Sequence, residues 1–92
     1  MSTTKQVTEY LFHNQVFEMS KNKLLGEAFV FTVFSLSKKN KYELVFYSEI
    51  IDGVQRITRI NTQRGQRRLF SSFDSLSDQA KKWGISEVTV CL

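Results

Sequence analysis

Residues 67 to 92 read RRLFSSFDSLSDQAKKWGISEVTVCL, and this stretch decides the fold. Phe73, Leu76, Ala80 and Trp83 fall at i, i+3, i+7 and i+10, one stripe of a helix with 3.6 residues per turn. Ser71 or Ser72 is placed to cap the start, and Asp74 and Asp78 lie towards the positive end of the helix dipole. Lys81 and Lys82 lie towards the negative end. Gly84 stands where a left-handed residue ends a helix, and Ile85 is positioned to fold back on Ala80. Glu87 to Leu92 then alternates, with Val88, Val90 and Leu92 on one face and Glu87, Thr89 and Cys91 on the other. The stretch predicts a strand, a helix and a final strand.

Working back from there, Glu27–Leu36 reads as a strand with apolar residues on both faces, which asks for cover on both sides. Ser37 to Asn40 is a polar turn. Lys41–Ile50 returns, with Tyr42, Leu44, Phe46 and Ile50 on one side and Glu43, Val45, Tyr47 and Glu49 on the other. Asp52-Gly53 is a hairpin turn. Val54–Thr62 is the third strand, Gln63 to Gln66 a turn, and Arg67–Ser71 a short fourth strand. Residues 3 to 25 fit two readings. One is a helix from Thr4 to about Met19. The other is a hairpin pairing Tyr10 and Phe12 with Phe17 and Met19 across Asn14-Gln15. Length favours the helix, although the apolar residues scatter around its wheel. The expected architecture is α+β: a four-stranded antiparallel meander, a C-terminal helix packed on the sheet, a final strand, and an N-terminal helix beside them.

The length of 92 residues suits one domain, 1–92, with no repeat or linker. Apolar residues make up 41 % of the chain and include 8 phenylalanines, enough for a packed core rather than a disordered chain. No apolar run approaches the roughly 20 residues of a membrane span. The first residues lack the apolar stretch of a signal peptide, so a cytoplasmic location is expected, with no membrane partner. The lone Cys91 cannot form an internal disulfide.

The net charge is +4, unevenly placed. All five arginines lie between Arg56 and Arg68, and no acid occurs between Val54 and Phe73. Guanidinium forks suit phosphate oxygens and guanine edges, and a two-stranded ribbon fits a DNA major groove. Arg56, Arg59, Arg64, Arg67 and Arg68 are therefore the candidate nucleic-acid contacts, with DNA or RNA as partner. Gln55, Asn61, Thr62, Gln63 and Gln66 flank them as neutral hydrogen-bonders. The competing reading is that an exposed hairpin carries charge for solubility and against self-pairing. Phe29, Phe31, Phe34, Tyr42, Phe46 and Tyr47 form a second set. They read as a base-stacking platform on one view, and as core or dimer surface on the other, which their position favours.

Catalytic and cofactor chemistry find little support. His13 and Cys91 are single, short of the three or four ligands of a zinc site, so no metal and no cofactor is expected. No nucleophile-and-base spacing accompanies His13. Gly26, Gly53, Gly65 and Gly84 fit turns or a cap and no phosphate-binding loop.

The segment from Arg59 to Val90, RINTQRGQRRLFSSFDSLSDQAKKWGISEVTV, resembles the tail of small accessory proteins of plasmids and other mobile elements. There a T-Q-R-G turn precedes R-x-F, a short helix and a G-I strand entry. The resemblance implies an architecture rather than an activity. The Leu44-Val45-Phe46-Tyr47 strand is similar to one in RelE-like ribosome-dependent toxins, whose element order differs. The leading expectation is a non-enzymatic, dimeric accessory protein that contacts nucleic acid through its arginine hairpin. The alternative is a dimeric protein- or small-ligand-binding module working through its Phe-rich sheet. An RNA-cleaving toxin is a third reading, in which acid-base work falls on His13, tyrosines or arginines.

Overall fold

A computed structural model describes residues 3–22, 24–34 and 40–91. The fold is α+β. Strand β1 (Lys5–Phe12) leads through a short 3-10 turn (His13–Gln15) into helix α1 (Val16–Lys21). Strands β2 (Glu27–Val33), β3 (Lys41–Tyr47) and β4 (Val54–Asn61) follow, then helix α2 (Phe73–Lys82) and strand β5 (Thr89–Cys91). They form one five-stranded sheet in the order β1-β4-β3-β2-β5. β2, β3 and β4 are an antiparallel meander, while β1 pairs in parallel with β4, and β5 in parallel with β2.

The expected meander of four strands is thus a meander of three inside a mixed sheet. Arg67–Ser71 is not a regular strand. The β3–β4 ladder runs only from Tyr47↔Ile57 to Val45↔Arg59. Beyond it the chain turns at Thr62–Gln66 and comes back between the two strands. It bridges Asn61 of β4 at Arg67 and Tyr42 of β3 at Phe70. Arg68 N–H donates to Ile60 O at 2.9 Å, and Phe70 and Tyr42 exchange two bonds of 2.8 Å. A segment that changes neighbours after three residues cannot extend a ladder.

The N-terminal helix expected from Thr4 to Met19 is a strand followed by a helix of six residues. Val7, Thr8, Tyr10 and Phe12 are of strand-favouring types. The scattered apolar positions arise because two different elements meet in that stretch. Other strands end sooner than their apolar pattern suggested, β3 at Tyr47 rather than Ile50 and β4 at Asn61 rather than Thr62. Leu36, the turn residues Ser37 to Lys39, and Leu92 lie outside the described residues.

Local chemistry explains the punctuation. Asp52 (φ 52°) and Gly53 (φ 75°) both adopt positive φ, and Ile51 and Val54 exchange 2.9 Å bonds around them, a two-residue turn whose twist suits a hairpin. A Cβ on Gly26 would lie 2.0 Å from the Tyr47 carbonyl oxygen, so only glycine fits the entry to β2. In α2 the Ser72 hydroxyl accepts the Ser75 N–H at 3.1 Å. Gly84 N–H donates to Lys81 O and Ile85 N–H to Ala80 O, the paired bonds of a glycine-terminated helix.

The topology places both helices on one face. α1 carries the chain from β1 to β2, and α2 from β4 to β5. Each crossover joins parallel strands and moves in the same direction across the sheet, so crossovers of one hand put both helices on the same side. The core records this: Val16 of α1 and Leu76, Ala80 and Trp83 around α2 pack with Val30, Leu44, Phe46, Ile60 and Phe70. Phe73 departs from the expected stripe. It is 37 % exposed at the rim and meets Tyr42 edge-on at 6.4 Å. Among the described residues, neither helix lies on the opposite face of the sheet.

Candidate functional site

Register assigns the side chains of that open face. Tyr10, Arg59, Val45, Phe29 and Thr89 stand side by side across all five strands. Tyr47 and Glu43 flank Val45 on β3, and Phe31 follows Phe29 on β2. Phe29 meets Tyr47 edge-on at 5.2 Å, and Phe31 lies 6.4 Å from Phe29 and 6.1 Å from Tyr47. The three rings are half-buried and cover Val45, which is buried without a helix above it. With Gln55 and Cys91 they line a shallow depression of about 360 Å³. Towards the β1 edge the face passes over Arg59 to more exposed aromatics, with Tyr10 58 % and Phe12 47 % accessible. Of the six aromatics singled out from the sequence, Phe29, Phe31 and Tyr47 share this face. Tyr42 and Phe46 point into the helix-covered core, and Phe34 lies exposed beyond the end of β2.

The candidate arginines separate. β4 alternation sends Arg56 to the helix-bearing side and Arg59 to the open one, as expected for a strand. Arg67, paired across from Asn61, joins Arg59 on the open face. Both converge on Glu43, which is 2 % exposed. Arg59 Nη1 donates to Glu43 Oε1 at 3.1 Å, Arg67 Nε donates to Oε2 at 3.2 Å, and Arg67 Nη2 donates to Oε1. The hydrogen bond to Glu43 raises the Arg67 pKa above its ordinary value, against the opposing effect of burial. One carboxylate thus holds two guanidiniums, and the trio carries one net positive charge.

Arg56 pairs with Glu9 at 3.7 Å, an exposed contact of little energetic weight. Arg68 lies over the Phe70 ring, 4.2 Å from its centroid, and donates to Leu69 O at 2.8 Å. Arg64 sits exposed in the turn, where Gly65 has a φ of 80°. Arg64 and Arg68, with His13, Thr62, Gln63 and Gln66, line an open cleft of about 440 Å³. His13 packs edge-on against Trp83 at 5.0 Å. Burial first and the Arg68 charge second lower its pKa, so it is neutral at pH 7. The hairpin therefore does not present five arginines on one surface: two face the open sheet, two line the cleft and one reaches Glu9.

Glu43, the buried carboxylate of this face, is not among the candidate residues that the sequence pattern singles out. Among the described residues no three His, Cys, Asp or Glu side chains gather as metal ligands, and no helix is long and apolar enough to cross a membrane. Compared with protein-family models, curated proteins and solved structures, the chain matches none.

Proposed function

We propose that this chain is a non-enzymatic binding module for single-stranded nucleic acid, and that the open face of its sheet is the contact surface. The observation that carries the reading is the joint presence of Phe29, Phe31, Tyr47 and Tyr10 with Arg59 and Arg67 on the face that the helices leave uncovered. Sheets that recognise single-stranded RNA stack two or three bases on aromatic side chains of such a face. Every base has a π-face, so the contact is tolerant of sequence. Tyr10 and Phe29 stand three strand spacings apart, about 14 Å. The Glu43 trio orients two guanidiniums at the centre of that span and leaves each within reach of water, with side-chain exposures of 33 % and 47 %. His13 packs against Trp83 on the helix-bearing side, away from this surface, so the proposal contains no cleavage step. A role as a small accessory protein of a mobile element belongs with the same proposal.

Anisotropy titration of a labelled single-stranded oligonucleotide tests it. Phe31→Ala and Tyr47→Ala are each expected to weaken binding by about 5- to 150-fold, the loss of one base stack worth roughly 1–3 kcal/mol. Binding should fall with salt at about 0.7 in log K per log salt for each phosphate contacted. No binding by the folded protein at low salt would overturn the reading. A loss confined to Arg64→Ala would move the site to the turn and its cleft.

A second reading shares the surface. Tyr10 and Phe12 extend the aromatic patch to the edge of the sheet, where a protein partner would gain apolar contact. Tight binding of no oligonucleotide, together with a partner lost on Phe31→Ala, would favour it.

A further inference from the structure

We infer that β1 is a self-pairing edge: two copies of this chain join β1 to β1 in antiparallel fashion about a two-fold axis at Val7. The two edges of the sheet are unlike. β5 has three residues, too short to template another strand. β1 has eight residues and pairs with β4 without a bulge. It contains no proline, and every residue but Leu11 is exposed. Long, regular, sparsely charged edges are what monomeric proteins avoid, because their free N–H and C=O groups recruit another strand.

The backbone shows which groups are free. Lys5 N–H donates to Gly53 O at 2.8 Å, so the odd residues of β1 face β4. The even residues, Gln6, Thr8 and Tyr10, turn their N–H and C=O outward. Phe12 N–H also points outward, but the Gln15 side-chain oxygen accepts it at 2.9 Å, closing the edge at that point. An antiparallel partner related by a two-fold axis normal to the sheet keeps face to face, so equal parities pair. Centring the axis on Glu9 would require the Phe12 N–H, in a bond with Gln6, and would oppose two carboxylates; centring it on Thr8 would set Lys5 against Leu11 and Glu9 against Val7, so that neither charge meets its opposite. Centring on Val7 avoids both outcomes. It pairs Gln6 with Thr8 through hydrogen bonds and sets Lys5 directly opposite Glu9 twice, in the close, non-hydrogen-bonded positions. The strand is complementary to itself in that register alone. This inference is independent of the nucleic-acid reading, and it would join the two open faces side by side in one continuous sheet.

Sedimentation equilibrium across micromolar concentrations tests it, with circular dichroism confirming that each variant is folded. Lys5→Glu places Glu opposite Glu9, and Glu9→Lys places Lys opposite Lys5. Each is expected to raise the dimer dissociation constant roughly tenfold, since the altered pair occurs twice. The double exchange Lys5→Glu with Glu9→Lys restores the opposite charges and should recover the dimer. A monomeric wild-type chain at high micromolar concentration would overturn the inference. So would a dimer indifferent to the single changes, or a double exchange that fails to recover association; a dimer built on the aromatic face would behave in that indifferent way.

Discussion

Replacing Trp83 with alanine should cost about 3–5 kcal/mol of stability, the range for deleting a buried large aromatic. The indole is 4 % exposed and closes α2 at its C-terminal cap. It meets Phe70 edge-on at 6.4 Å and His13 at 5.0 Å. Those two neighbours belong to the segment inserted between β3 and β4 and to the turn after β1. One side chain therefore ties together three parts of the chain that no shared ladder holds. A cavity there could not close without moving α2, α1 or the inserted segment, and that places the expected cost in the upper part of the range. Urea denaturation checks it. A loss under about 1 kcal/mol would show Trp83 to be a surface residue and the packing of α2 to be wrong.

Glu43→Ala should cost about 2–3 kcal/mol, less than the 3–5 typical when one partner of a fully buried ion pair is removed. The discount follows from the arginines, which reach water and can swing outward when released. The same substitution should act in the opposite direction on binding. It frees two guanidiniums on the open face, so affinity for a single-stranded oligonucleotide should rise and the salt dependence should steepen by up to about 0.7 for each new phosphate contact. Weaker fold and tighter binding from one change is the trade expected where a binding surface is restrained by its own carboxylate. Glu43→Gln keeps the shape and removes the charge, and should give a smaller loss of stability with the same gain in binding. Unchanged stability on Glu43→Ala would mean that the trio is an incidental surface contact.

Much of the fold is legible in the chain because local signals carry it. Ser72, Gly84 and Ile85 mark α2 by hydrogen bonds closed within a few residues. Asp52-Gly53 fixes a hairpin by its own dihedral preferences. Alternation along Lys41–Tyr47 sorted the side chains of β3 correctly between the two faces. What escaped depends on distant partners. β1 is a strand because β4 offers it an edge, and its pattern could not say so. The Arg67–Phe70 segment looks like a strand locally, yet it bonds to β4 and then to β3. The absence of acid between Val54 and Phe73 suggested free arginines, but the sheet brings Glu43 across from the adjacent strand. A signal for that pairing was present: a lone carboxylate between Tyr42 and Leu44, sharing a face with Val45 and Tyr47, calls for a cation from a neighbouring strand.

Binding of single-stranded nucleic acid on the open sheet face, as proposed, would be visible residue by residue. The most direct measurement is NMR titration of the isotopically labelled chain with a short single-stranded oligonucleotide at low salt. The expected result is shift changes in the side chains of Phe29, Phe31, Tyr47 and Tyr10 and in the guanidinium signals of Arg59 and Arg67, with the Trp83 indole unmoved. Changes confined to Thr62–Arg68 and His13, or no change on any aromatic of the open face, would contradict it.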